Sequence, residues 1–485
     1  MNRKQFNYRH VLDQVPVQGI HYLAYACILP ACTFSVLACA KRNGRNEMDM
    51  RTNNLMSNAL DIITSIYEKL FHERMSIGAM LFLRDLSYVG SGAILGVALS
   101  FVFNILVGRM LGPHDYGVFT LIQSIAMFAY IPMIMGLPTA MAKYNSEKNE
   151  FARQKEIVST TYGLTFIFMA LSVLIYYIFI DSIFTVFSTS REVVSLSIIF
   201  AILFVFYTVT TSTYQGLLQM KEYALSHPLY SAILLLSLFL FSFFGNLSYK
   251  TAVFCMYLAN FISGVLILIL VRRYLRLGFN KYWARKLAKY GIYTTIAGLS
   301  YIVITNIDKI FINYYLDLDS IGIYQAYMFS TAGILSALVN PFNMVFFPVC
   351  SKGDKKVIWQ NLKRFLFILP LLVLSTILLS YAVIRYGYNY PVSWKLVLLF
   401  SFMRCTYIPG VSILGCFVSS FGSRGAKQGS INLFLSIPLL IISLYLLVPR
   451  YGIVGAAISV TVASIIVLAL NLSTIKRLLH ESKSN

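Results

Sequence analysis

The stretch 300-SYIVITNIDKIFINYYLDLDSIGIY-324 decides the fold class, because it is apolar enough to cross a membrane and yet contains Asp308 and Lys309 side by side. A charged side chain at the centre of a membrane helix costs roughly 2.5–3.5 kcal/mol. Such charges almost always face the interior of a helix bundle or a water-filled cavity rather than lipid. The stretch therefore predicts a polytopic helical membrane protein in which this helix faces protein or water.

Apolar windows of similar length recur along the chain. Of the 485 residues, 58% are hydrophobic and 12% are charged, whereas soluble domains carry about 25% charged residues. A spanning helix needs about 20 apolar residues. Windows that approach this length lie near 86–108, 117–138, 157–180, 193–217, 226–247, 251–271, 290–315, 322–348, 364–385, 394–419, 428–448 and 453–473. We therefore predict an all-α polytopic membrane protein with about 12 transmembrane helices.

The placement of basic residues sets the orientation. The chain has 40 Lys and Arg against 19 Asp and Glu, a net charge of +21. If the twelve-helix core begins in the cytoplasm, its inner loops hold 21 basic residues and its outer loops hold 4. This asymmetry satisfies the positive-inside rule and predicts a multi-pass protein of the cytoplasmic membrane with both ends of the core in the cytoplasm. Because topology accounts for the basic excess, no nucleic-acid partner is predicted.

The first 80 residues fit this pattern poorly. Residues 20–40 are apolar but flanked by basic residues, so an extra helix, a signal-like leader and a misread start codon all stay open. Residues 52–80 have the pattern of an amphipathic helix on the inner surface. The predicted organisation is an N-terminal extension over 1–80 and six-helix units over 81–280 and 281–485.

The two six-helix units resemble each other in sequence. LGPHDYGVFTL (111–121) matches LDLDSIGIYQA (316–326), which pairs Gly117 with Gly322. The helix that follows each motif contains two prolines, which are hinge candidates: Pro132 and Pro138 in the first half, Pro341 and Pro348 in the second. Repeats of six helices share one orientation, which predicts a transporter plan with the binding site between the halves.

Several polar residues in the predicted helices are candidates for function. One stripe of the seventh helix has near-helical spacing: Thr305, Asn306, Lys309 and Asn313. The heptad spacing of Tyr301, Asp308 and Tyr315 places these three on a neighbouring stripe. Asp308 either pairs with a basic residue to fix helix packing or serves a hydrophilic cavity. Arg404, near the middle of the tenth helix, can bind phosphate bidentately or pair with Asp308.

Two further candidates have weaker patterns. Arg109 lies at the outer end of the first helix, where its side chain either extends to the membrane surface or faces the cavity. Gln215 ends the stretch TVTTSTYQ (208–215), whose hydroxyls either bond to their own backbone or form a sugar-contacting wall.

The sequence lacks the common patterns of catalytic and metal sites. It contains no GxSxG, no GxxxxGK[ST] and no HExxH, and its cysteines and histidines show no metal-ligand spacing. The acidic pair in DLD (317–319) lies in a very short outer loop and indicates turn chemistry. We predict no enzyme activity, no metal site and no cofactor.

Four motifs in order resemble the polysaccharide-transporter branch of the multidrug/oligosaccharidyl-lipid/polysaccharide exporter superfamily. They are GRMLGPHDYGVFTL, YQGLLQMKEYAL, NIDKIFINYYLDLDSIGIYQAY and LVPRYGIVGAAISV. The resemblance covers about residues 80–475 and implies two six-helix bundles in a V around a central cavity. It further implies transfer of a polyprenyl-(pyro)phosphate-linked oligosaccharide to the outer leaflet for O-antigen, capsule or exopolysaccharide synthesis. The implied partners are this substrate, membrane lipids and polysaccharide polymerase or glycosyltransferase machinery.

The resemblance marks Asp308, in NIDKIFI, as a signature position, and Arg109 and Gly117 as matches to the end of the first helix. Arg404 matches none of these motifs. A lipid II flippase is the nearest alternative, although such proteins commonly carry two more C-terminal helices. A cation-coupled multidrug exporter is a more distant one. A membrane-integral polysaccharide polymerase, from a different class, usually needs a larger outer loop than the loops of this sequence.

Overall fold

A computed structural model describes residues 77–147, 150–245, 247–276, 278–352, 355–365 and 369–484. The predicted apolar segment 20–40 and residues 52–76 of the predicted amphipathic helix lie outside the described residues. The regular structure of the described residues is helical, which confirms the all-α fold class.

We number the helices α1 to α14 in chain order. In the first half they are α1 Ile77–Ile134, α2 Leu137–Glu147, α3 Phe151–Ile178, α4 Ile180–Val186, α5 Arg191–Gly216, α6 Met220–Phe244 and α7 Tyr249–Val271. In the second half they are α8 Lys281–Tyr315, α9 Leu318–Lys352, α10 Lys355–Phe365, α11 Leu369–Ala382, α12 Trp394–Tyr407, α13 Leu414–Ser419 and α14 Gly422–Ser484. Two π-helical segments, Val383–Tyr388 and Ile408–Ile413, follow α11 and α12.

Nine helical spans among the described residues are long and apolar enough to cross a membrane. The two longest contain 47 and 55 residues, and each is interrupted by a glycine: Gly112 has φ 75° and Gly452 has φ 57°. Each of these spans therefore holds two of the predicted helices. The predicted eighth helix, 322–348, lies within α9. The multi-pass membrane architecture is confirmed, and the number of twelve crossings stays a prediction.

The apolar surface has the pattern that a membrane requires. Phe243 is 84% exposed and Tyr177 is 76% exposed, whereas Tyr116, Tyr324 and Phe400 are buried completely. Large exposed apolar side chains on spanning helices face lipid, because lipid does not penalise their exposure as water does. The buried aromatic residues belong to one core cluster that contains residues of both halves.

Two short helices occupy segments that were predicted as inner loops. These are α2, which overlaps the stretch 139–156 between two apolar windows, and α10, which overlaps the stretch 349–363. Both have one apolar face: Ile358 and Leu362 of α10 are buried in a cluster with Phe417. A loop prediction from mean apolarity misses such helices because half of their surface is polar.

The matched glycines of the two halves are in direct contact. A Cβ atom at Gly322 would lie 2.0 Å from the carbonyl oxygen of Pro113, and one at Gly117 would lie 1.8 Å from that of Leu318. Only glycine permits such an approach of two backbones. The sequence repeat therefore marks the point where α1 and α9 pack together at the predicted outer end.

Hydrogen bonds add to this closure. The hydroxyl groups of Tyr116 and Tyr388 are 3.3 Å apart, and the Tyr390 hydroxyl donates to the Gly108 carbonyl oxygen at 2.7 Å. Both bonds join α1 to the segment after α11. The two halves are thus closed against each other at the predicted outer end.

The DLD turn between α8 and α9 has the chemistry that its sequence predicts. The backbone N–H of Ser320 donates to Asp317 Oδ1 at 2.7 Å. Hydrogen bonds from the side chain and backbone of Ser320 hold the pKa of Asp317 below its ordinary value. The turn interpretation is confirmed.

The four hinge candidates have unequal surroundings. Pro132 is inside α1 and Pro138 is inside α2, with a break between them at Met135 (φ 44°) and Gly136 (φ 60°). By contrast, α9 continues through both Pro341 and Pro348. The first half has a left-handed residue pair that ends a helix, and the second half has none at the matching place. A hinge role of the four prolines stays a prediction.

Candidate functional site

A cavity of about 290 Å³ is lined by residues of the second half alone, whereas the sequence predicts a binding site between the halves. Its walls come from α8, from α9 and from α12 with the π-helical segment that follows. The lining residues are Tyr301, Thr305, Lys309, Gln325, Met328, Phe329, Ala332, Val339, Arg404, Tyr407, Ile408 and Ser412. The cavity is polar on the α8 and α12 sides, where both of its basic side chains lie.

The π-helical segment Ile408–Ile413 shapes one wall of this cavity. Pro409 has no backbone N–H, so a regular α-helical ladder cannot continue through it. The Asn471 side chain, from α14, donates to the Gly410 carbonyl oxygen at 2.8 Å. The wider π turns are frequent at functional sites, and here they place Ile408 and Ser412 in the cavity wall.

Asp308 and Lys309 form an intramembrane ion pair. The Lys309 ammonium lies 3.5 Å from Asp308 Oδ1 and donates to the Thr305 carbonyl oxygen at 2.7 Å. The Lys309 backbone N–H also donates to Asp308 Oδ1, at 2.9 Å. Lys309 lines the cavity, whereas Asp308 does not. The carboxylate and its ammonium therefore point in different directions from adjacent positions on α8.

The Asp308 carboxylate fixes α8 to α9. The Tyr324 hydroxyl, from α9, donates to Asp308 Oδ2 at 2.5 Å, and Asp308 is completely buried. A buried carboxylate needs such donors, because an unpaired one would cost several kcal/mol. Among the residues that the structure describes, Asp308 has no ion pair with Arg404. The charge of Asp308 is thus neutralised by Lys309, within its own helix.

Arg404 lies in the last turn of α12 and faces the cavity. Its Nη2 atom lies 3.2 Å from the Met328 sulfur, and its guanidinium lies 5.3 Å from the centre of the Tyr407 ring. Its Nε atom is buried without a hydrogen-bond partner, and no carboxylate in the described part of the chain forms an ion pair with it. Arg404 therefore gives the cavity a positive charge that no ion pair among the described residues compensates.

These contacts define what the cavity can bind. The Asp308–Lys309 pair is neutral overall, so Arg404 sets the net charge of the wall. A guanidinium with free donors binds carboxylate or phosphate groups through two parallel hydrogen bonds. Tyr301, Thr305 and Gln325 add further polar groups on the opposite walls. The cavity suits an anionic group that carries hydroxyl-rich neighbours.

The remaining candidates from the sequence lie elsewhere. Asn306 donates to the Ile302 carbonyl oxygen at 3.1 Å, within α8. Asn313 donates to the carbonyl oxygens of Phe187 and Ser188, in the first half, at 2.8 and 3.0 Å. It thus strengthens the outer closure.

Neither Arg109 nor Gln215 lines the cavity. Arg109 is exposed and donates to the Tyr386 carbonyl oxygen at 3.3 Å, and Gln215 is exposed in the last turn of α5. In the stretch before Gln215, the hydroxyls of Thr208, Thr210 and Thr213 bond to carbonyl oxygens of their own helix.

The sequence interpretation missed part of the site. It grouped Tyr301 with Asp308, but the structure places Tyr301 with Thr305 and Lys309, at spacings of four residues. Heptad spacing alone does not show which residues of a stripe reach the cavity. Met328 and Tyr407 are further lining residues that no sequence signal indicated.

Comparisons with known proteins agree with the fold and the sequence motifs. An uncharacterized membrane protein of Methanocaldococcus jannaschii, MJ1068, is 26% identical over 197 residues, which span 37% of each chain. The structure of lipid II flippase MurJ in an inward closed conformation is similar with a TM-score of 0.56 and 16% identity, over 79% of this chain and 86% of MurJ. An inward-facing multidrug resistance MATE transporter of the MOP superfamily is similar with a TM-score of 0.56 and 13% identity, over 79% of this chain and 96% of the transporter.

The solved structures show a shared fold. Family membership comes from a sequence match: the family model described as "Polysaccharide biosynthesis protein" matches residues 82–354, more than half of the 485 residues. This range includes the repeat motifs, the Asp308–Lys309 pair and most of the cavity wall. The chain is therefore a multi-pass membrane protein that belongs to the polysaccharide biosynthesis protein family.

Proposed function

We propose that the chain is a flippase that moves a polyprenyl-(pyro)phosphate-linked oligosaccharide across the cytoplasmic membrane for surface polysaccharide synthesis. The observation that carries this proposal is the uncompensated guanidinium of Arg404 in a polar cavity between transmembrane helices. A diphosphate needs a positive partner to leave water, because an unpaired charge in the membrane is costly. Arg404 supplies the charge, and Lys309 adds an ammonium whose charge Asp308 balances until the substrate arrives.

The contacts between the halves at the outer end fit one state of an alternating-access cycle. Gly117 and Gly322 hold α1 against α9 at the predicted outer end, while the Asn313 bonds connect α8 to the first half. At the predicted inner end the halves are also in contact, because a Cβ atom at Gly291 would lie 2.4 Å from the Met135 carbonyl oxygen and the Thr294 hydroxyl donates to the Gly136 carbonyl oxygen at 3.3 Å. Entry of the substrate from the predicted cytoplasmic side therefore requires these inner contacts to separate. Release of the substrate requires the contacts at the outer end to separate, so that the cavity opens toward the outer leaflet.

The charge of the cavity weighs against one alternative. An exporter of cationic drugs needs acidic or aromatic groups free to meet a positive substrate. Here Asp308 is paired with Lys309 and Tyr324. Tyr301, Phe329 and Tyr407 line the cavity, but the positive charge of Arg404 repels a cation from it. A lipid II flippase would use the same phosphate chemistry and differs only in the glycan. Polymerase or glycosyltransferase partners belong to the same proposal.

The test uses a host strain that lacks its own repeat-unit flippase and scores surface polysaccharide. The wild-type chain is expected to restore the polymer in a host with a compatible repeat unit, and Arg404→Ala is expected to abolish the restoration at normal membrane abundance. Arg404→Lys keeps the charge but loses the paired donors, so an intermediate level is expected. Arg385→Ala is the matched control, because Arg385 is exposed and does not line the cavity.

Two outcomes contradict the proposal. One is full restoration by Arg404→Ala at wild-type abundance. The other is failure of the wild-type chain across hosts with different repeat units together with drug resistance of the host, which would favour the exporter.

A further inference from the structure

A second cationic feature lies at the predicted inner end of the molecule, far from the cavity. It consists of two lysines and four aromatic residues from α2 and α8, and we call it the basic-aromatic cluster. Its members are Lys143 and Tyr144 on α2 and Tyr282, Trp283, Lys286 and Tyr290 on α8. From Lys286 to Lys309, α8 rises roughly 35 Å, so the cluster and the cavity are separate sites.

The two ammonium groups converge on one aromatic ring. The Lys143 Nζ lies 5.4 Å from the centre of the Tyr144 ring and the Lys286 Nζ lies 5.1 Å from it. Lys143 also lies 4.1 Å from the Tyr290 ring, and Lys286 lies 5.2 Å from the Trp283 ring. The two positive charges are thus separated by no more than about one Debye length, roughly 10 Å in 0.1 M salt.

Among the described residues, no carboxylate forms an ion pair with either of these lysines. Within the described ranges, neither Lys143 nor Lys286 has an ion pair, and the polar contact of Lys286 is with the Tyr282 hydroxyl at 3.3 Å. The nearby carboxylate of Glu147 is occupied by Arg153 at 2.9 Å, and that of Glu156 accepts from Asn280 at 2.9 Å. Two ammonium groups held together without an acidic partner repel each other, and a bound anion removes this repulsion.

The surroundings of the cluster are those of a membrane surface. Tyr282 of the cluster is 63% exposed, and Phe151 and Phe279, at the same predicted end of the molecule, are 53% and 56% exposed. Exposed aromatic rings at the end of spanning helices occupy the headgroup level of a bilayer. The predicted topology places this end in the cytoplasmic leaflet, where anionic phospholipids attract basic residues.

We propose that Lys143 and Lys286 bind the phosphate group of an anionic phospholipid of the inner leaflet, with the rings of Tyr144 and Trp283 beside it. A lipid fits better than a soluble anion, because the exposed aromatic rings at this end of the molecule would meet a bilayer at its headgroup level. The site joins α2 of the first half to α8 of the second. The proposal does not depend on the transported substrate.

The test measures quenching of Trp283 fluorescence by lipids with brominated acyl chains. The full chain contains three tryptophans, so Trp359→Phe and Trp394→Phe leave Trp283 as the reporter. The protein is reconstituted in phosphatidylcholine with increasing fractions of brominated phosphatidylglycerol or brominated phosphatidylcholine. Half-maximal quenching is expected at a fraction of phosphatidylglycerol roughly thirty-fold lower, the ratio that two lysines near an anionic headgroup provide.

The controls separate this site from general surface charge and from soluble phosphate. Lys143→Gln with Lys286→Gln is expected to remove the preference, whereas Lys289→Gln, on the same helix but outside the cluster, is expected to keep it. If the two brominated lipids quenched Trp283 fluorescence equally in the protein with both lysines intact, the proposal would be overturned. If Lys289→Gln lost the preference for phosphatidylglycerol as fully as the double variant, the proposal would be overturned as well. Displacement of the lipid by millimolar inorganic pyrophosphate would assign the site to a soluble phosphate ligand instead.

Discussion

Gly322→Ala is expected to open the predicted outer end of the molecule. The added Cβ would lie 2.0 Å from the Pro113 carbonyl oxygen and 3.1 Å from the Gly117 nitrogen. Both atoms belong to the backbone of α1, so no side chain can rotate away. The two helices must separate by about 1 Å or more, and overpacking of this kind typically costs ~1–3 kcal/mol. That range shifts the equilibrium away from the closed state by roughly 5- to 150-fold.

A buried reporter at the outer end measures this shift. Val107 is 1% exposed in the core that joins the two halves, and Val107→Cys places a thiol there. The rate of modification by a membrane-impermeant maleimide, applied from outside, follows the population of the open state. Gly322→Ala is expected to raise this rate at least about five-fold, with the protein lacking the reporter as the background.

Gly298→Ala is the matched control, because nothing lies within 4 Å of an added Cβ at this glycine of α8. It is expected to leave the labelling rate unchanged. If Gly322→Ala labels as slowly as the parent while its circular dichroism is unchanged, the glycine contact does not hold the two halves together.

Three further predictions follow from single contacts. Asp308→Asn leaves the Lys309 ammonium without its carboxylate and is expected to lower the stability by ~3–5 kcal/mol, measured as thermal unfolding in detergent. The control is Asp319→Asn, at an exposed carboxylate beside His114. If Asp308→Asn melted at the same temperature as the parent, the anchoring role of Asp308 would be refuted. Tyr390→Phe removes the donor to the Gly108 carbonyl oxygen and is expected to destabilise the closed state by ~1–3 kcal/mol, seen as faster labelling of Val107→Cys. An unchanged labelling rate would show that this bond does not contribute to closure. Lys355→Met removes the ammonium that donates to the carbonyl oxygens of Cys350 and Ser420. It is expected to lower the melting temperature, because ~1–3 kcal/mol of hydrogen bonding is lost. A variant with the melting temperature of the parent would contradict this prediction.

The sequence predicts the helices well where apolar length decides them. The apolar windows lie within helices of the described part of the chain, and the repeat locates Gly117 and Gly322 before any coordinates are known. Periodicity alone cannot show that the repeat glycines touch each other, because this contact joins residues about two hundred positions apart. The short helices α2 and α10 are missed since their polar faces lower the mean apolarity.

The candidate site divides in the same way. An arginine and a lysine inside apolar windows are visible in the sequence, because charges in membrane helices are rare. Their partners are not visible: Asp308 bonds to Tyr324 only because α9 packs against α8 at that height. The choice between phosphate and Asp308 as the partner of Arg404 depends on this packing. Among the described residues the structure gives Arg404 no carboxylate partner, and the sequence could not decide this.

The most direct test of the central claim is transfer of a lipid-linked oligosaccharide by the purified chain in proteoliposomes. The substrate is a polyprenyl-diphosphate oligosaccharide whose sugar is accessible to an added glycosidase only in the outer leaflet. The account predicts that the wild-type chain exposes the inner-leaflet pool to the enzyme, that Arg404→Ala does not, and that Arg385→Ala behaves as the wild type. Transfer by Arg404→Ala at the wild-type rate, with equal protein in the vesicles, would contradict the claim that the cationic cavity carries the phosphate across the membrane.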